Sequence, residues 1–166
     1  MEFCCFVFTC LTFDCNEPTY RKDKEGRKIP YATPPGPSEL IATPVLYQGN
    51  IYCSIGQDPE HGDGVGRLSC INAKTGEVVW AYEEDLKKGA IGCADGMLYC
   101  VDETNGTVAL AEASPKGWRE AGRFKLEPQT KIRSSSGKIW THPVIANGKL
   151  YLRDQDLYFC FDVKQP

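Results

Sequence analysis

The 166 residues hold only two histidines, and none of the nine cysteines stands in a Cys-x-x-Cys pair. A zinc cage draws on those residue types at short spacing, so it has poor raw material here. A basic excess is also missing. Net charge is −3, whereas nucleic-acid recognition demands clustered Lys and Arg. Runs such as Arg21-Lys22-Asp23-Lys24 are broken by acids and read as solvated loop. No nucleic-acid partner is expected. The apolar opening, Met1 to Leu11, is too short to span a bilayer. Nor does it suit a signal peptide, because Glu2 stands where a basic region belongs and no small-residue cleavage site follows. It reads as a strand left over from a preceding repeat, with a damaged signal segment as the alternative. No long segment carries helical periodicity. Gly62-Asp63-Gly64-Val65-Gly66 falls between two strand signals, not at a helix start, so it fails the context test for a phosphate loop.

Apolar residues make up 42% and charged residues 25% of the chain, which places it among globular and not disordered sequences. Cys53, Cys70, Cys93, Cys100 and Cys160 lie inside apolar runs, where a reduced thiol acts as a small hydrophobe. Nine is odd, so at least one thiol stays free or pairs between chains.

The strongest signal is internal repetition. Thr43-Pro44-Val45-Leu46-Tyr47-Gln48-Gly49-Asn50-Ile51-Tyr52 matches His142-Pro143-Val144-Ile145-Ala146-Asn147-Gly148-Lys149-Leu150-Tyr151 in Pro, Val, Gly and Tyr. A third copy, Ile91 to Tyr99, keeps Gly96 and Tyr99. Tyr52, Tyr99 and Tyr151 stand 47 and 52 residues apart, and a unit of about 40 to 50 residues has the size of one four-stranded propeller blade. Each copy runs strand, polar-Gly turn, strand. The turns Gln48-Gly49, Asp95-Gly96 and Asn147-Gly148 accept the positive φ of a tight hairpin. Arg67 to Asn72 supplies a third strand, with Leu157 to Asp162 as its counterpart. The expectation is an all-β partial propeller of four-stranded antiparallel blades. Residues 1–38 form a leading strand and a proline-rich surface connection; residues 39–166 form about three blades. Segments 41–82 and 139–164 should superimpose. Pro128 to Gly137 reads as an exposed loop.

Arg67-Leu68-Ser69-Cys70-Ile71-Asn72-Ala73-Lys74-Thr75-Gly76-Glu77-Val78-Val79-Trp80 resembles the repeat of pyrroloquinoline-quinone (PQQ)-like propellers, a strand followed by Asn-Ala, a small turn, Thr-Gly and Trp. Gly137 to Gln155 and Gln57 to Gly62 resemble secreted bacterial members of that group. The resemblance implies that Trp80 pins one blade to the next beside the Gly76 turn. It marks Gly49, Tyr52, Gly76, Trp80, Gly96, Tyr99, Trp140, Gly148 and Tyr151 as structural repeat residues. In the middle copy Gly117-Trp118 replaces the Thr-Gly-x-x-x-Trp spacing. A periplasmic or secreted location is also implied.

Two functions follow from the resemblance. One is a non-catalytic scaffold or protein-interaction module, whose partner is another protein or the remaining blades. The other is a fragment of a PQQ-dependent oxidoreductase of the alcohol dehydrogenase type, which alone would require PQQ with calcium. No base or calcium ligands can be placed. Asp102 with Glu103, and Asp154 with Asp156, read as solvated turn acids. Cys4-Cys5 reads as core strand and not as a quinone-stacking disulfide. Asp58 to Gly64 reads as a hairpin loop and not as a calcium site. His142 reads as a packed strand-start residue, since no nucleophile is tied to it by motif. The scaffold without a resident cofactor is the favoured expectation.

Overall fold

The computed structural model describes residues 25–28, 43–55, 67–82, 84–86, 88–135 and 137–164. The expectations for Met1 to Leu11, for Cys4-Cys5, for the proline-rich connection and for the Asp58 to Gly66 loop lie outside the described residues.

Among the described residues every regular element is a β-strand. β1 (Val45–Tyr47), β2 (Asn50–Ile55), β3 (Arg67–Asn72) and β4 (Val78–Tyr82) form sheet 1 in the order β1-β2-β3-β4. β5 (Gly89–Ala94), β6 (Met97–Asp102), β7 (Thr107–Glu112) and β8 (Glu120–Lys125) form sheet 2 in the same meander. β9 (Val144–Ala146), β10 (Lys149–Asp154) and β11 (Leu157–Asp162) form sheet 3, which has three strands among the described residues. All neighbours are antiparallel. The expected four-stranded blade therefore holds for the first two units.

The first hairpin of each sheet turns the same way. Gln48 and Gly49 have φ of 46° and 75°, Asp95 and Gly96 of 50° and 74°, Asn147 and Gly148 of 53° and 71°. Two successive positive φ values make the turn whose twist matches that of the strands it joins. The glycine costs nothing there, and Asp or Asn tolerates the first position better than other residues.

A second repeated device ties the turn to the third strand. Ala73 N–H donates to the Gly49 carbonyl at 3.0 Å, Ala113 N–H to Gly96 at 2.8 Å and Val163 N–H to Gly148 at 2.9 Å. These bonds equate Ala73, Ala113 and Val163. The ladder also slips at matching places, between Cys70 and Ile71 in sheet 1 and between Leu110 and Ala111 in sheet 2. Counted from this register, the partner of Trp80 in sheet 2 is Gly122, since Cys70 pairs with Trp80 and Leu110 pairs with Gly122. Trp118 does not replace the pin; it lies in the β7–β8 connection.

The core sits between sheets. One cluster joins Tyr52, Leu68 and Cys70 of sheet 1 to Ile91, Leu98, Cys100, Ala109 and Ala113 of sheet 2. Another joins Tyr99, Val101 and Val108 of sheet 2 to Leu150 and Leu152 of sheet 3. Sheet 2 thus buries one face against sheet 1 and the other against sheet 3, as stacked repeats do. A fully buried Leu or Ile contributes about 1.5 to 3 kcal/mol by leaving water.

Candidate functional site

The sheet 1–sheet 2 interface shows how a covered face is built. Val45, Tyr52, Cys70 and Trp80 stand opposite one another across β1 to β4, forming one row on one face. Tyr52 and Cys70 are fully buried by sheet 2. Burial, followed by the neighbouring Cys70 thiol, raises the Tyr52 phenol well above its ordinary value. Burial likewise raises the Cys70, Cys93 and Cys100 thiols.

Trp80 crosses to the next sheet, and its indole N–H donates to the Ser114 carbonyl at 2.8 Å. Its ring lies 6.1 Å from Tyr52 and 6.4 Å from Trp118, the latter edge-on. Trp118 in turn stacks on Tyr82 at 4.5 Å. At the rim, Arg123 bridges Asp85 and Glu120. Its guanidinium holds both carboxyls below their usual range. The Tyr82 hydroxyl donates to Asp85 at 2.7 Å. Burial first, then Asp85, pushes its pKa up to about 12.

The sheet 2–sheet 3 interface uses different residues in the same register. With Gly122 at the pin position, Phe124 meets Phe161 at 4.6 Å. Gly92 lets the inner strands approach. A Cβ there would come within 2.9 Å of Ile145 Cδ1 and 3.0 Å of Pro143 Cγ, closer than packed carbons tolerate.

On sheet 3 the corresponding row is Val144, Tyr151 and Cys160, directly opposite one another across β9, β10 and β11. These are the residues that stand as Val45, Tyr52 and Cys70 in sheet 1. Here, however, Val144 is 56% and Tyr151 42% exposed, and Cys160 is exposed as well. Tyr158 is 76% exposed on the same face, with the Arg153 guanidinium 5.1 Å above its ring. Lys149 and Asp162, paired at 2.7 Å, border the row. This contiguous apolar surface with a charged border is the candidate site. Patches of that kind mark contact with another macromolecule.

The sequence-marked residues divide accordingly. Gly49, Gly76, Gly96 and Gly148 occupy turns at positive φ. Tyr52, Tyr99 and Trp80 lie in inter-sheet cores. Tyr151 has the expected register without a cover. Trp140 does not take a repeat position: it precedes β9 and is 65% exposed, because a Trp80 counterpart belongs in a fourth strand that sheet 3 does not show among the described residues. Cys160 is a correction to the buried-thiol expectation for the same reason.

The acids are a further correction. Asp102 and Asp154 are not solvated; both are buried. Asp102 Oδ1 accepts the Thr104 and Asn105 N–H groups at 2.7 and 3.0 Å, capping its own turn. Asp154 Oδ2 accepts the Thr130 N–H at 3.0 Å and pairs with Arg133. Asp156 meets the Thr130 hydroxyl, and His142 is exposed. Sequence reasoning missed Gly92, Gly122, the Ser114 carbonyl and the Arg133–Asp154 pair. The Asp102-x-x-x-Gly106 spacing, equal to Asn72-x-x-x-Gly76, was a visible clue to a capped turn.

No family model matches the chain, and neither does any curated protein sequence. Among solved structures it is similar to the quinohemoprotein alcohol dehydrogenase of Comamonas testosteroni, with a TM-score of 0.51 and 18% identity over 70% of this chain. It is also similar to BamB of Moraxella catarrhalis, with a TM-score of 0.43 and 15% identity over 73% of this chain. The chain spans 17% of the first protein's length and 42% of the second's. The meander sheets stacked face to face, the shared turn and register devices and the likeness to the dehydrogenase together give the fold: three successive antiparallel blades of a partial β-propeller.

Proposed function

We propose that this chain is a non-catalytic propeller-repeat module whose contact is with a protein partner or with the remaining blades of a propeller. One observation carries the reading: sheet 3 leaves uncovered the Val-Tyr-Cys row that sheet 1 buries. The likeness to an alcohol dehydrogenase is one of fold, and fold by itself brings no chemistry with it.

That the module works without PQQ and calcium belongs to the same proposal. Its support is the use of the acids that could have served. Asp102 caps a turn, and Asp154 is tied to Arg133 and Thr130. Among the described residues no three His, Cys, Asp or Glu side chains stand close enough to share a metal ion. These residues do not fit the quinone–calcium pair.

Titration with PQQ and calcium, followed by protein fluorescence, tests the reading. No saturable change is expected. Micromolar binding with dye-linked alcohol oxidation would overturn it in favour of an oxidoreductase. A periplasmic or secreted location is proposed from the repeat's resemblance. Fractionation of cells that express the native gene would refute it by finding the protein in the cytoplasm.

A further inference from the structure

The connection from β8 to β9 is far longer than the repeat requires. Tyr82 and Phe124 are equivalent, since each stands two residues beyond the matched pairs Cys70–Trp80 and Leu110–Gly122. Ala94 and Ala146 are equivalent too, because each closes the first hairpin of its sheet, opposite Met97 and Lys149. That register sets Gly89 against Thr141. Sheet 1 therefore reaches sheet 2 through six residues, 83–88, whereas sheet 2 reaches sheet 3 through sixteen, 125–140. Long connections without regular structure inside a packed domain commonly carry function.

The long connection is nonetheless tied down along its length. Leu126 N–H donates to the Gly106 carbonyl at 2.9 Å and Ile139 N–H to the Glu103 carbonyl at 2.7 Å, which fixes both ends on the β6–β7 turn. Gln129 Nε2 donates to the Asn105 carbonyl at 2.6 Å, and Thr130 N–H to Asp154 Oδ2 at 3.0 Å. Arg133 folds back onto the same buried carboxylate. Gly137 admits that fold, since a Cβ there would come within 2.7 Å of Arg133 Cγ. Between these anchors stands Ile132, 70% exposed, with its own N–H taken by the Thr130 hydroxyl at 3.2 Å. Lys131 is exposed beside it, and Lys138 follows on the returning arm. Among the described residues neither lysine joins an ion pair, whereas Arg133 is held by Asp154.

We infer that Ile132, flanked by Lys131 and Lys138, is a preformed docking knob for a second protein whose surface offers an apolar pocket ringed by carboxylates. The inference rests on the module reading and names one of its contact surfaces. It does not depend on what covers sheet 3, because the knob lies on a connection between two described sheets. The anchors explain how the knob works. A buried ion pair is weak evidence for added stability, so the Arg133–Asp154 pair serves here to hold a geometry. A loop ordered in advance loses little freedom when it binds. Ile132 supplies the apolar anchor, and the unpaired lysines select an acidic surround. A lipid surface is the poorer occupant, since one aliphatic side chain anchors weakly in a bilayer.

Photocrosslinking in cells that express the native gene finds the partner. The full chain carries p-benzoylphenylalanine in place of Ile132, or in place of the exposed Val79 as a control, and mass spectrometry identifies the adduct. The captured protein is then purified and titrated against the parent, Ile132→Asp and the double variant Lys131→Glu/Lys138→Glu. Ile132→Asp should weaken binding at least about tenfold, as loss of a central anchor does. The double variant should weaken it too and reduce its salt dependence. Both should melt like the parent, because these side chains face solvent. The inference is overturned if position 132 captures nothing that position 79 does not, or if the captured protein binds both variants as it binds the parent. An adduct between two copies of this chain would overturn it in favour of self-association. Binding to mixed phosphatidylcholine–phosphatidylglycerol vesicles that Ile132→Asp abolishes would overturn it in favour of a membrane surface. None of these results depends on PQQ, so the knob and the non-catalytic reading can fail separately.

Discussion

Replacing Trp80 by alanine removes a side chain that is both part of a buried row and hydrogen-bonded across an inter-sheet boundary. Emptying a large aromatic site costs about 3 to 5 kcal/mol. Trp80 is only partly buried, so the lower end applies to its packing. The lost indole bond to the Ser114 carbonyl adds about 1 kcal/mol. The sum, about 4 kcal/mol, is a large share of the roughly 5 to 15 kcal/mol that holds a domain together. At about 2 to 4 °C per kcal/mol for this chain length, the midpoint should fall by roughly 10 °C. Thermal and urea melts followed by far-ultraviolet circular dichroism measure the midpoint and the free energy without relying on the tryptophan removed. Trp80→Phe keeps a ring but not the donor and should recover more than half of the loss. Trp118→Ala is the matched control. Trp118 stacks on Tyr82 and touches Trp80, so it should cost about 2 kcal/mol and couple to Trp80 in a double mutant. If Trp80→Ala melts within about 0.5 kcal/mol of the parent, the pin assignment is wrong, because that is what surface substitutions cost.

Three other outcomes follow from the geometry. Gly92→Val drives a side chain into Ile145 and Pro143 and should destabilise by about 1 to 3 kcal/mol, whereas Gly122→Ala, which meets nothing within 4 Å, should be near neutral in the same melts. Arg133→Ala strands the buried Asp154 carboxylate and should cost about 3 to 5 kcal/mol, with much of it regained by adding Asp154→Asn; an undiminished loss in the double mutant would show that the pair is not the cause. Asp85 and Glu120 are held below their ordinary values by Arg123, so the unfolded chain binds more protons than the folded one as pH falls from about 5. Their stabilisation is complete above the ordinary carboxylate range and fades as acid passes through the lowered folded values. Melting temperatures against pH in the parent and in Arg123→Ala check this: the variant should lose part of the acid dependence, and salt should weaken the difference.

The turns were legible because they are local. A polar-Gly pair needs only its own φ values to close a hairpin, so Gln48-Gly49, Asp95-Gly96 and Asn147-Gly148 announced three hairpins without reference to anything distant. The Val-x-x-x-Gly-x-x-Tyr offsets likewise fixed which residues share a row, since strand register follows from turn length. From these, an all-β repeat of blade size could be read directly. Nothing local states what lies across a sheet face. Tyr52 and Tyr151 have the same neighbours in their own sheets, yet one is buried and the other 42% exposed, because only sheet 1 has a sheet stacked upon that face. The middle repeat misled for a related reason. Its capped Asp102–Gly106 turn joins the second and third strands, while the similar Asn72–Gly76 turn joins the third and fourth. With Gly117-Trp118 in place of the Thr-Gly-x-x-x-Trp spacing, only the ladder register shows that Gly122 is the pin's counterpart and that Trp118 lies in the β7–β8 connection. Asp154 read as a solvated acid because Arg133 stands 21 residues away in a loop. The sequence alone determined strand, turn and repeat, which are set by dihedral preference and side-chain alternation. Only tertiary structure decided which faces are covered and which charges are buried, since those depend on surfaces brought together by stacking.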